Sequence, residues 1–524
     1  MSDIDPVPAT EYHEQTKHSP ESIRSSPGLN FENKPTPYKR YLDRPRVSFP
    51  SPPGIDAPAL EAITVTRGDP ADAMGVEERV GLDRDTVAGL CHYAAGITKE
   101  IERRNRTIEF RAAACTGALY HVDLYLACGD LPGLDAGVYH YDPENHALDV
   151  LREGDFRETL AAAMGEDPDE SPPLTVVLTS EWWRNAWKYW NRTFRHAFWD
   201  SGTVAANLLA AAIGQGLPAS IALSFADDRI VDLIGLDPAE EAPIAVVPIG
   251  ERGSEDVERP DGLPKIDYGT APLSPDPKEY ALIHRAWRAG VLPDGGRAAD
   301  WRSKAALLAP VGTREPGDSE RIELDPVDRD TATVRPLDRT IRRRGSCREY
   351  DRERISFRKF STVLDRAVRG TPLDVRTTND AQAGTRQPLS FCDCYLIVNG
   401  VEDLPSGSYQ YHPAAGELEL LEQGECREDA GRLALGQQLG ADAAVCAYFM
   451  TDIEAVTDAL GDRGYRLAQF ESSLTAGRLY LATYAHRDLG GTGLTFFDDE
   501  VTEFFSPRAA GQTPTFLYTL GRPA

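Results

Sequence analysis

Lysine is scarce in this 524-residue chain, which uses arginine for most of its positive charge. Nine of the 56 basic residues are lysine, and 83 acidic residues bring the net charge to −27. Such an excess of negative charge argues against nucleic acid and anionic membranes as main partners. This acid-rich, lysine-poor composition is typical of a highly charged, solvated surface. It can arise in a high-salt cytoplasm or from a GC-biased genome, and it carries no information about the fold.

Long apolar runs, a secretory signal and metal-binding cysteine pairs are also missing. The nearest candidate for a membrane span, residues 202–223, is interrupted by Asn207, Gln215 and Pro218, whereas a spanning helix needs roughly 18 continuous apolar residues. The N-terminus lacks a basic region followed by an apolar one, so we expect a cytoplasmic protein. Eight cysteines form no C-x-x-C pair, and we expect reduced thiols and no bound metal.

What the chain does contain is an internal repeat. Residues 131–158 reappear as residues 401–428, at an offset of 270. One insertion later the offset is 271, and the matched pairs include Arg192 with Arg463, Arg195 with Arg466, Phe225 with Phe496, Asp227 with Asp498 and Gly250 with Gly521. A constant offset over more than a hundred residues indicates two related domains fused in tandem.

Composition suggests where the two domains begin and end. Residues 1–54 form a Pro-rich, polar arm, and residues 254–330 form an Asp-, Pro- and Gly-rich linker around one short helical patch. We therefore predict a first domain over residues 55–253 and a second over residues 331–524.

The first repeat mixes predicted strands with a predicted helix. Strands are predicted over residues 123–128, 137–142, 174–180 and 242–250, and a buried helix over 202–217. Strands separated by helices, with hairpin-like pieces between them, indicate an α+β fold in which helices sandwich a sheet.

A cationic segment in the second repeat, RRRGSCREY (342–350), is a candidate phosphate site. Arg344, Ser346 and Arg348 offer guanidinium groups and a hydroxyl just ahead of a predicted helix. Arg522 follows the last strand of the same repeat and is a further cation that the fold can bring to this site. The alternative is an ordinary solvated basic face.

A glycine-rich segment of the second repeat, DLGGTGL (488–494), can approach a flat ligand closely. Gly490, Gly491 and Thr492 would expose backbone N–H groups to a ring nitrogen. The alternative is that the glycines end the preceding helix.

A turn of small residues in the first repeat, within RAAACTGALYHVDLYL (111–126), can also lie against a ring system. Thr116, Gly117 and Ala118 form this turn, and Arg111 can face the polar edge of the ring. The alternative is an ordinary entry from a loop into a strand.

Five of the seven tryptophans fall within residues 182–200, which must build a large aromatic surface. Lys188 lies among them, and a desolvated lysine has a lowered pKa that suits a general base, whereas arginine does not. Tyr189 can relay or donate the proton. The alternatives are core packing, an interface between the repeats and, for Lys188, a plain surface residue.

Several other sites are not indicated. His140 and His146 fall on a predicted hairpin, and His121 and His196 are isolated, so no metal constellation is predicted. The sequence also lacks a G-x-G-x-x-G dinucleotide motif after a first strand and a P-loop lysine motif.

Taken in order, these motifs resemble the SagB-type dehydrogenases of the nitroreductase-like flavoprotein superfamily. The matching features are GALY before a DLYL strand, GVYHYDP, KYxxR, a GxG strand with FxDD, and IxRRGSxR. YHEQTKHSPES, FENKP and YKRY in the arm are similar to the leader of many such proteins. The resemblance implies nitroreductase-like domains with a mostly antiparallel central sheet, and FMN bound non-covalently where two domains meet.

The resemblance also implies roles for the candidate residues. Arg344, Ser346 and Arg348, with Arg522, would hold the FMN phosphate, and the segment from Gly490 to Gly493 would lie near flavin N5. Lys188 and Tyr189 match a Lys-Tyr pair implicated in the oxidation of azoline rings.

The two repeats depart from the family pattern in complementary ways. The first has Ala73 at the position of Arg344, and the second has TRQPLS (385–390) in place of CTGALY and Ala459-Leu460 in place of Lys188-Tyr189. We therefore expect an intramolecular pseudo-dimer, monomeric in solution, with one composite FMN site. Cys115, Thr116 and His121 replace the usual Ser, Ala and Pro.

By this resemblance we expect an FMN-dependent oxidoreductase that takes a proton and a hydride from an azoline-like ring, with dioxygen as final acceptor. The substrate would be a small molecule or a modified peptide, and other peptide-modifying enzymes are possible partners. Two alternatives remain open: an NAD(P)H-dependent nitro- or quinone reductase, and a flavin-free scaffold in a peptide-modifying complex.

Overall fold

The computed structural model describes residues 5–25, 27–66, 69–75, 80–104, 106–253, 262–332, 335–375 and 386–524. The start of the arm, part of the linker (254–261) and the first residue of the TRQPLS segment lie outside the described residues.

Most of the strands form two antiparallel sheets, one in each repeat. In chain order the strands are β1 (Arg46–Ser48), β2 (Ile97–Arg103), β3 (Arg106–Arg111), β4 (Val122–Cys128), β5 (Gly137–Asp142), β6 (Ala147–Glu153), β7 (Leu174–Glu181), β8 (Glu241–Ile249), β9 (Arg321–Glu323), β10 (Asp393–Val398), β11 (Gly407–His412), β12 (Glu417–Gln423), β13 (Val445–Thr451), β14 (Gly490–Leu494) and β15 (Thr513–Gly521). The first sheet has the order β1-β6-β5-β4-β7-β8, and the second β14-β15-β13-β10-β11-β12-β9. Strands β2 and β3 form a separate hairpin.

The two sheets have matching topology, as the repeat predicts. Strands β4, β5, β6, β7 and β8 occupy the same positions in the first sheet as β10, β11, β12, β13 and β15 in the second. Neighbouring strands in both sheets are antiparallel. The prediction of an α+β fold with two tandem domains, each with an antiparallel central sheet, is confirmed.

Helices cover both sheets. In chain order they are α1 (Ala9–Gln15), α2 (Pro20–Arg24), α3 (Ala59–Ala62), α4 (Pro70–Met74), α5 (Arg84–Ala95), α6 (Arg157–Met164), α7 (Trp182–Tyr189), α8 (Thr193–Ile213), α9 (Asp227–Ile234), α10 (Ala281–Ala289), α11 (Gly295–Leu308), α12 (Arg329–Ala332), α13 (Leu337–Arg343), α14 (Phe357–Ala367), α15 (Arg427–Leu433), α16 (Gln438–Asp442), α17 (Ile453–Leu460), α18 (Asp462–Ala485) and α19 (Asp498–Phe505). One buried apolar core runs through both repeats.

The repeats meet where α8 packs against its counterpart α18. Both helices are buried along almost their whole length. They cross at small residues, because a Cβ atom on Gly202 would lie 2.0 Å from Ser473 Oγ, and one on Gly477 would lie 2.5 Å from Ala206 Cβ. Positions 202 and 473 correspond in the repeat, as do 206 and 477, so the crossing lies on a pseudo-twofold axis.

The same pseudo-symmetry relates the N-terminal arm to the linker. Arg195 Nη2 donates to the carbonyl of His13 at 2.6 Å, and Arg466 Nη2 donates to that of Trp287 at 2.6 Å. Helix α1 is therefore the counterpart of α10. The short strands β1 and β9 likewise extend corresponding edges of the two sheets, so each repeat reaches further towards the N-terminus than its sequence similarity shows.

Two segments are resolved further by the structure. The tryptophan-rich segment is two helices, α7 and α8, because the chain breaks at Trp190, which has a φ of 48° and begins a short 3-10 turn. The linker contains a second helix, α11, in addition to the expected helical patch. Among the described residues, none of the helices has the length and apolarity needed to cross a membrane.

Candidate functional site

A cavity of about 660 Å³ lies between the two repeats. The first repeat contributes the turn after β3, the end of α7 and the first half of α8. The second contributes the loop after α13, strand β14 and the residues that follow it. Because both repeats are needed to enclose it, the cavity is composite, with a size typical of sites for small molecules and cofactors.

Most of the predicted site residues line this cavity. They are Thr116, Gly117, Ala118, Lys188 and Tyr189 from the first repeat, and Arg344, Ser346, Arg348 and Thr492 from the second. Residues that are more than 370 positions apart in the sequence therefore line the same cavity.

Arg111 and Arg522 do not line the cavity. Arg111 is buried, and its guanidinium donates to the carbonyl of Pro37 at 2.5 Å and packs against the rings of Tyr38 and Tyr120. Arg522 is half exposed and pairs with Asp351 at 2.9 Å.

Gly490 and Gly491 also lie outside the cavity wall. They belong to strand β14 and do not end the preceding helix, which stops at Ala485. A Cβ atom would lie 2.8 Å from Pro523 Cγ at Gly490 and 2.0 Å from Tyr518 Oη at Gly491. Here glycine permits close packing within the protein.

Arg344 joins the two repeats at the edge of the cavity. Its Nε donates to the carbonyl of Ala112 at 2.8 Å, and its Nη2 donates to that of Arg111 at 2.7 Å. Much of its donor capacity is therefore used to hold the segment before the small-residue turn, whereas Ser346 and Arg348 remain as the polar groups of this loop.

Asp200 organises the turn formed by Thr116, Gly117 and Ala118. Its carboxylate accepts from the Thr116 backbone N–H at 2.9 Å and from the Thr116 hydroxyl at 2.8 Å. It also accepts from the thiol of Cys115 at 3.1 Å and lies 2.7 Å from His121 Nε2. Burial and the adjacent Asp200 raise the pKa of Cys115 well above its usual value, which keeps the thiol protonated.

All three residues that depart from the family pattern thus meet at Asp200. The sequence predicted His121 to be isolated, but its imidazole belongs to this buried network and also contacts the Ser180 hydroxyl at 2.8 Å. Cys115, His121 and Asp200 are ligand types for a metal. In the structure Cys115 and His121 each contact Asp200 directly.

Lys188 and Tyr189 lie at the end of α7 and face the cavity. Burial, together with the nearby charges of Lys34 and Arg348, lowers the pKa of Lys188. Among the described residues, no carboxylate pairs with Lys188 to oppose this effect. Burial and then Asp200 raise the pKa of Tyr189, so its hydroxyl stays protonated.

The Tyr189 side chain is held in place by its neighbours. Its ring packs edge-on against His196 with 4.6 Å between centroids. A Cβ atom on Gly117 would lie 2.8 Å from the Tyr189 hydroxyl oxygen, and Gly117 has a φ of +65° that favours glycine. The imidazole of His196 is itself bonded to Asn185 Oδ1 at 2.9 Å.

Sequence reasoning missed several lining residues. They include His18 from the arm, Lys99 and Phe110 from the β2-β3 hairpin, and Asp200, His196, Trp199, Gln437, Tyr480, Thr495 and Phe516. Asp200 had a detectable signal, because its repeat partner is the acidic Glu471. His18 had none, because nothing in the sequence brings the arm to this cavity.

Part of the pseudo-symmetric counterpart of the cavity is covered by the chain. Thr492 lines the cavity, but its counterpart Ile221 pairs with the segment around Leu373. The Ile221 N–H donates to the carbonyl of Pro372 at 2.9 Å, and the Asp374 N–H donates to the carbonyl of Ile221 at 2.8 Å. Residues 372–374 thus cover the surface that corresponds to the cavity wall.

Known proteins are similar to this chain in sequence and in fold. No protein-family model matches it. A putative nitroreductase of Methanocaldococcus jannaschii is 27% identical over 144 residues, which are 27% of this chain and 71% of that protein. The trifolitoxin-processing protein TfxB of Rhizobium leguminosarum bv. trifolii is 27% identical over 210 residues, which are 37% of this chain. The chain spans 56% of the length of TfxB.

One solved structure covers nearly the whole chain. A putative nitroreductase from Anabaena variabilis superposes with a TM-score of 0.73 at 24% identity, covering 98% of this chain and 99% of that one. The tandem arrangement of the two repeats is thus shared with a known structure. The sequence similarity indicates an oxidoreductase, and the chain has the nitroreductase-like fold.

Proposed function

We propose that the protein is an FMN-dependent oxidoreductase of the SagB type, with one FMN bound per chain in the composite cavity. The observation that carries the proposal is that the two repeats each supply a different part of one cavity. The second repeat supplies the cationic loop, and the first supplies the small-residue turn and the Lys-Tyr pair. The coverage of the Ile221 surface by residues 372–374, where Thr492 lines the cavity in the second repeat, supports a single site per chain.

The residues present suit FMN chemically. Ser346 and Arg348 offer a hydroxyl and a free guanidinium to the phosphate, and Arg344 braces their loop against the first repeat. Strand β14 is an edge strand, and beside Thr492 the Gly491 carbonyl accepts from the Cys347 N–H at 3.1 Å and the Gly493 N–H donates to the Tyr480 hydroxyl at 2.5 Å. Gly117 gives the Tyr189 hydroxyl room at the cavity, because a Cβ atom there would lie 2.8 Å from that oxygen.

FMN supplies a hydride acceptor when bound, and the chain must position the substrate and take its proton. Lys188 Nζ is the proposed proton acceptor, because a lowered pKa increases the fraction of the lysine that is neutral at a given pH. The Tyr189 hydroxyl is the proposed proton donor beside it. The packed rings of Tyr189, His196 and Trp199 form an aromatic surface on this side of the cavity.

The proposed substrate is an azoline-like ring in a peptide or small molecule, and aromatisation of that ring would supply driving force. The similarity to TfxB, a trifolitoxin-processing protein, supports a peptide. With it we propose a cytoplasmic, monomeric protein that works beside other peptide-modifying enzymes.

A nitro- or quinone reductase fed by NAD(P)H is a second candidate, because two similar proteins are named putative nitroreductases. The absorption spectrum of the purified protein is the first test. About one FMN per chain is expected, two would contradict the single composite site, and none would favour a flavin-free scaffold. If flavin is present, rapid bleaching by NAD(P)H alone would favour the reductase.

A further inference from the structure

Three polar residues of the cavity have no role in the proposed chemistry. His18 comes from the arm, Gln437 from the turn between α15 and α16, and Thr495 from the segment after β14. The backbone brings them together, because the His18 N–H donates to Asp498 Oδ2 at 2.8 Å. The Phe497 N–H donates to the carbonyl of Leu433, at the end of α15, at 3.0 Å.

Their side chains have no partners within the part of the chain that the structure describes. The imidazole of His18 and the amide of Gln437 make no hydrogen bond there, and the hydroxyl of Thr495 is buried without one. An unmade hydrogen bond of a buried polar group is unfavourable, so the Thr495 hydroxyl calls for a partner, whereas His18 and Gln437 are half-buried beside it.

The pseudo-symmetric positions serve as an internal control. Leu292, the counterpart of His18, is apolar, although its N–H donates to Asp227 at 3.0 Å just as that of His18 donates to Asp498. Ser224, the counterpart of Thr495, donates its hydroxyl to Asp374 and accepts from Arg302 at 3.1 Å. The Ser224 hydroxyl thus has hydrogen-bond partners from the chain, whereas the Thr495 hydroxyl, at the open cavity, has none among the described residues.

Among the described residues, no charged side chain from the arm, the turn between α15 and α16 or the segment after β14 lines the cavity. Burial and then Arg192 lower the pKa of His18 to about 3, so its imidazole is uncharged and can both donate and accept. Arg192 and Arg195 face Asp498 and the carbonyls of the arm. The charged residues that line the cavity belong to other elements: Lys99, Lys188, Asp200, Arg344 and Arg348.

We propose that His18, Gln437 and Thr495 form a subsite that binds a neutral amide group of the substrate. Each residue both donates and accepts, which matches the N–H and the carbonyl of an amide. A carboxylate bound there would lose its hydration, and no cation from these three elements lines the cavity to compensate for that loss. The subsite rests on the proposed function and deepens it, since an amide-binding group in the same cavity favours a peptide or carboxamide substrate.

Isothermal titration calorimetry on the full-length protein as purified tests the subsite without turnover. The probes are thiazole-4-carboxamide, thiazole-4-carboxylate and 4-methylthiazole. We expect the carboxamide to bind at least tenfold more tightly than the other two. His18→Leu and Thr495→Val should each weaken carboxamide binding about three- to tenfold and leave 4-methylthiazole binding unchanged. Thr495→Val keeps the shape of the side chain, so the variant should fold. The comparison of the three probes on the wild type needs no variant at all.

His284→Leu is the matched control, because His284 is also a half-buried histidine but lies on α10 and does not line the cavity. It should bind the carboxamide as the wild type does. Equal binding of the three probes, a preference for the carboxylate, no carboxamide binding, or unchanged binding in both variants would overturn the subsite. Flavin content and ring oxidation, measured on the same samples, report separately on the proposed function.

Discussion

Arg195 of the first repeat donates from Nη1 to Asp498 Oδ1 of the second at 2.6 Å, and both side chains are fully buried. The counterpart contact runs in the opposite direction, from Arg466 to Asp227 at 2.7 Å. Arg192 and Arg463 complete the two clusters at 3.1 and 2.6 Å. Each repeat thus gives its arginines to the other and receives theirs, as in an isologous dimer interface.

Removal of either central carboxylate should destabilise the protein. Asp498→Asn and Asp227→Asn each leave two buried arginines facing a neutral group, and a loss of about 3–5 kcal/mol in the free energy of unfolding is expected. Urea denaturation at pH 7 measures it. A loss below about 1 kcal/mol in both variants would show that the clusters are not needed to hold the repeats together.

The loss of stability caused by Asp498→Asn should depend on pH in a defined direction. Burial raises the pKa of Asp498, but Arg192 and Arg195 outweigh it and hold the pKa well below its usual value. A carboxyl group whose pKa is lower in the folded than in the unfolded protein, where it is about 3.9, stabilises the fold at pH values above that unfolded-state pKa. This stabilisation is lost as the pH falls below it. The difference between wild type and Asp498→Asn should therefore shrink as the pH falls below about 4. A difference that grows on acidification would contradict this assignment.

The close crossing of α8 and α18 predicts a second stability effect. Gly477→Ala places a methyl group 2.5 Å from Ala206 Cβ, and overpacking of this kind costs about 1–3 kcal/mol. We expect net destabilisation even though alanine is the better helix former by about 1 kcal/mol. Thermal unfolding followed by circular dichroism checks it. Gly424→Ala, where a Cβ meets open space, is the control.

Flavin retention should separate two of the three predicted phosphate-binding arginines. Arg348 lines the cavity, whereas Arg522 pairs with Asp351 away from it. Arg348→Ala should weaken FMN binding at least tenfold, because a hydrogen bond to a charged group contributes about 1.5–3 kcal/mol. Arg522→Ala should retain FMN. Loss of FMN from Arg522→Ala, measured by flavin release during dialysis, would favour the role of Arg522 implied by the resemblance over the observed geometry.

Replacement of the proposed base should stop chemistry without loss of the cofactor. Lys188→Ala should keep FMN and lower the rate of ring oxidation by about 10²–10⁴-fold. In the wild type the rate should rise with pH as Lys188 loses its proton, and level off below the pH at which an ordinary lysine would, because its pKa is lowered. Lys304, exposed on α11, is the control site for Lys→Ala. Full oxidase activity in flavin-loaded Lys188→Ala would exclude this role.

The sequence alone determined the tandem repeat and the unequal distribution of motifs between its copies. Both are linear patterns, because a constant offset and the presence or absence of RRGS or KY are visible without coordinates. They predicted two antiparallel α+β units and an interface between them, and most of the candidate residues do share one cavity.

Only the tertiary structure decided how individual side chains are used. Arg344 donates hydrogen bonds to carbonyls of the first repeat, and Arg522 forms an ion pair with Asp351. Cys115 and His121 both contact Asp200. The arm brings His18 to the cavity from more than 400 residues before Asp498, which holds it. Contacts across a pseudo-twofold axis depend on the packing of two long helices, and sequence spacing does not encode the direction in which a side chain points.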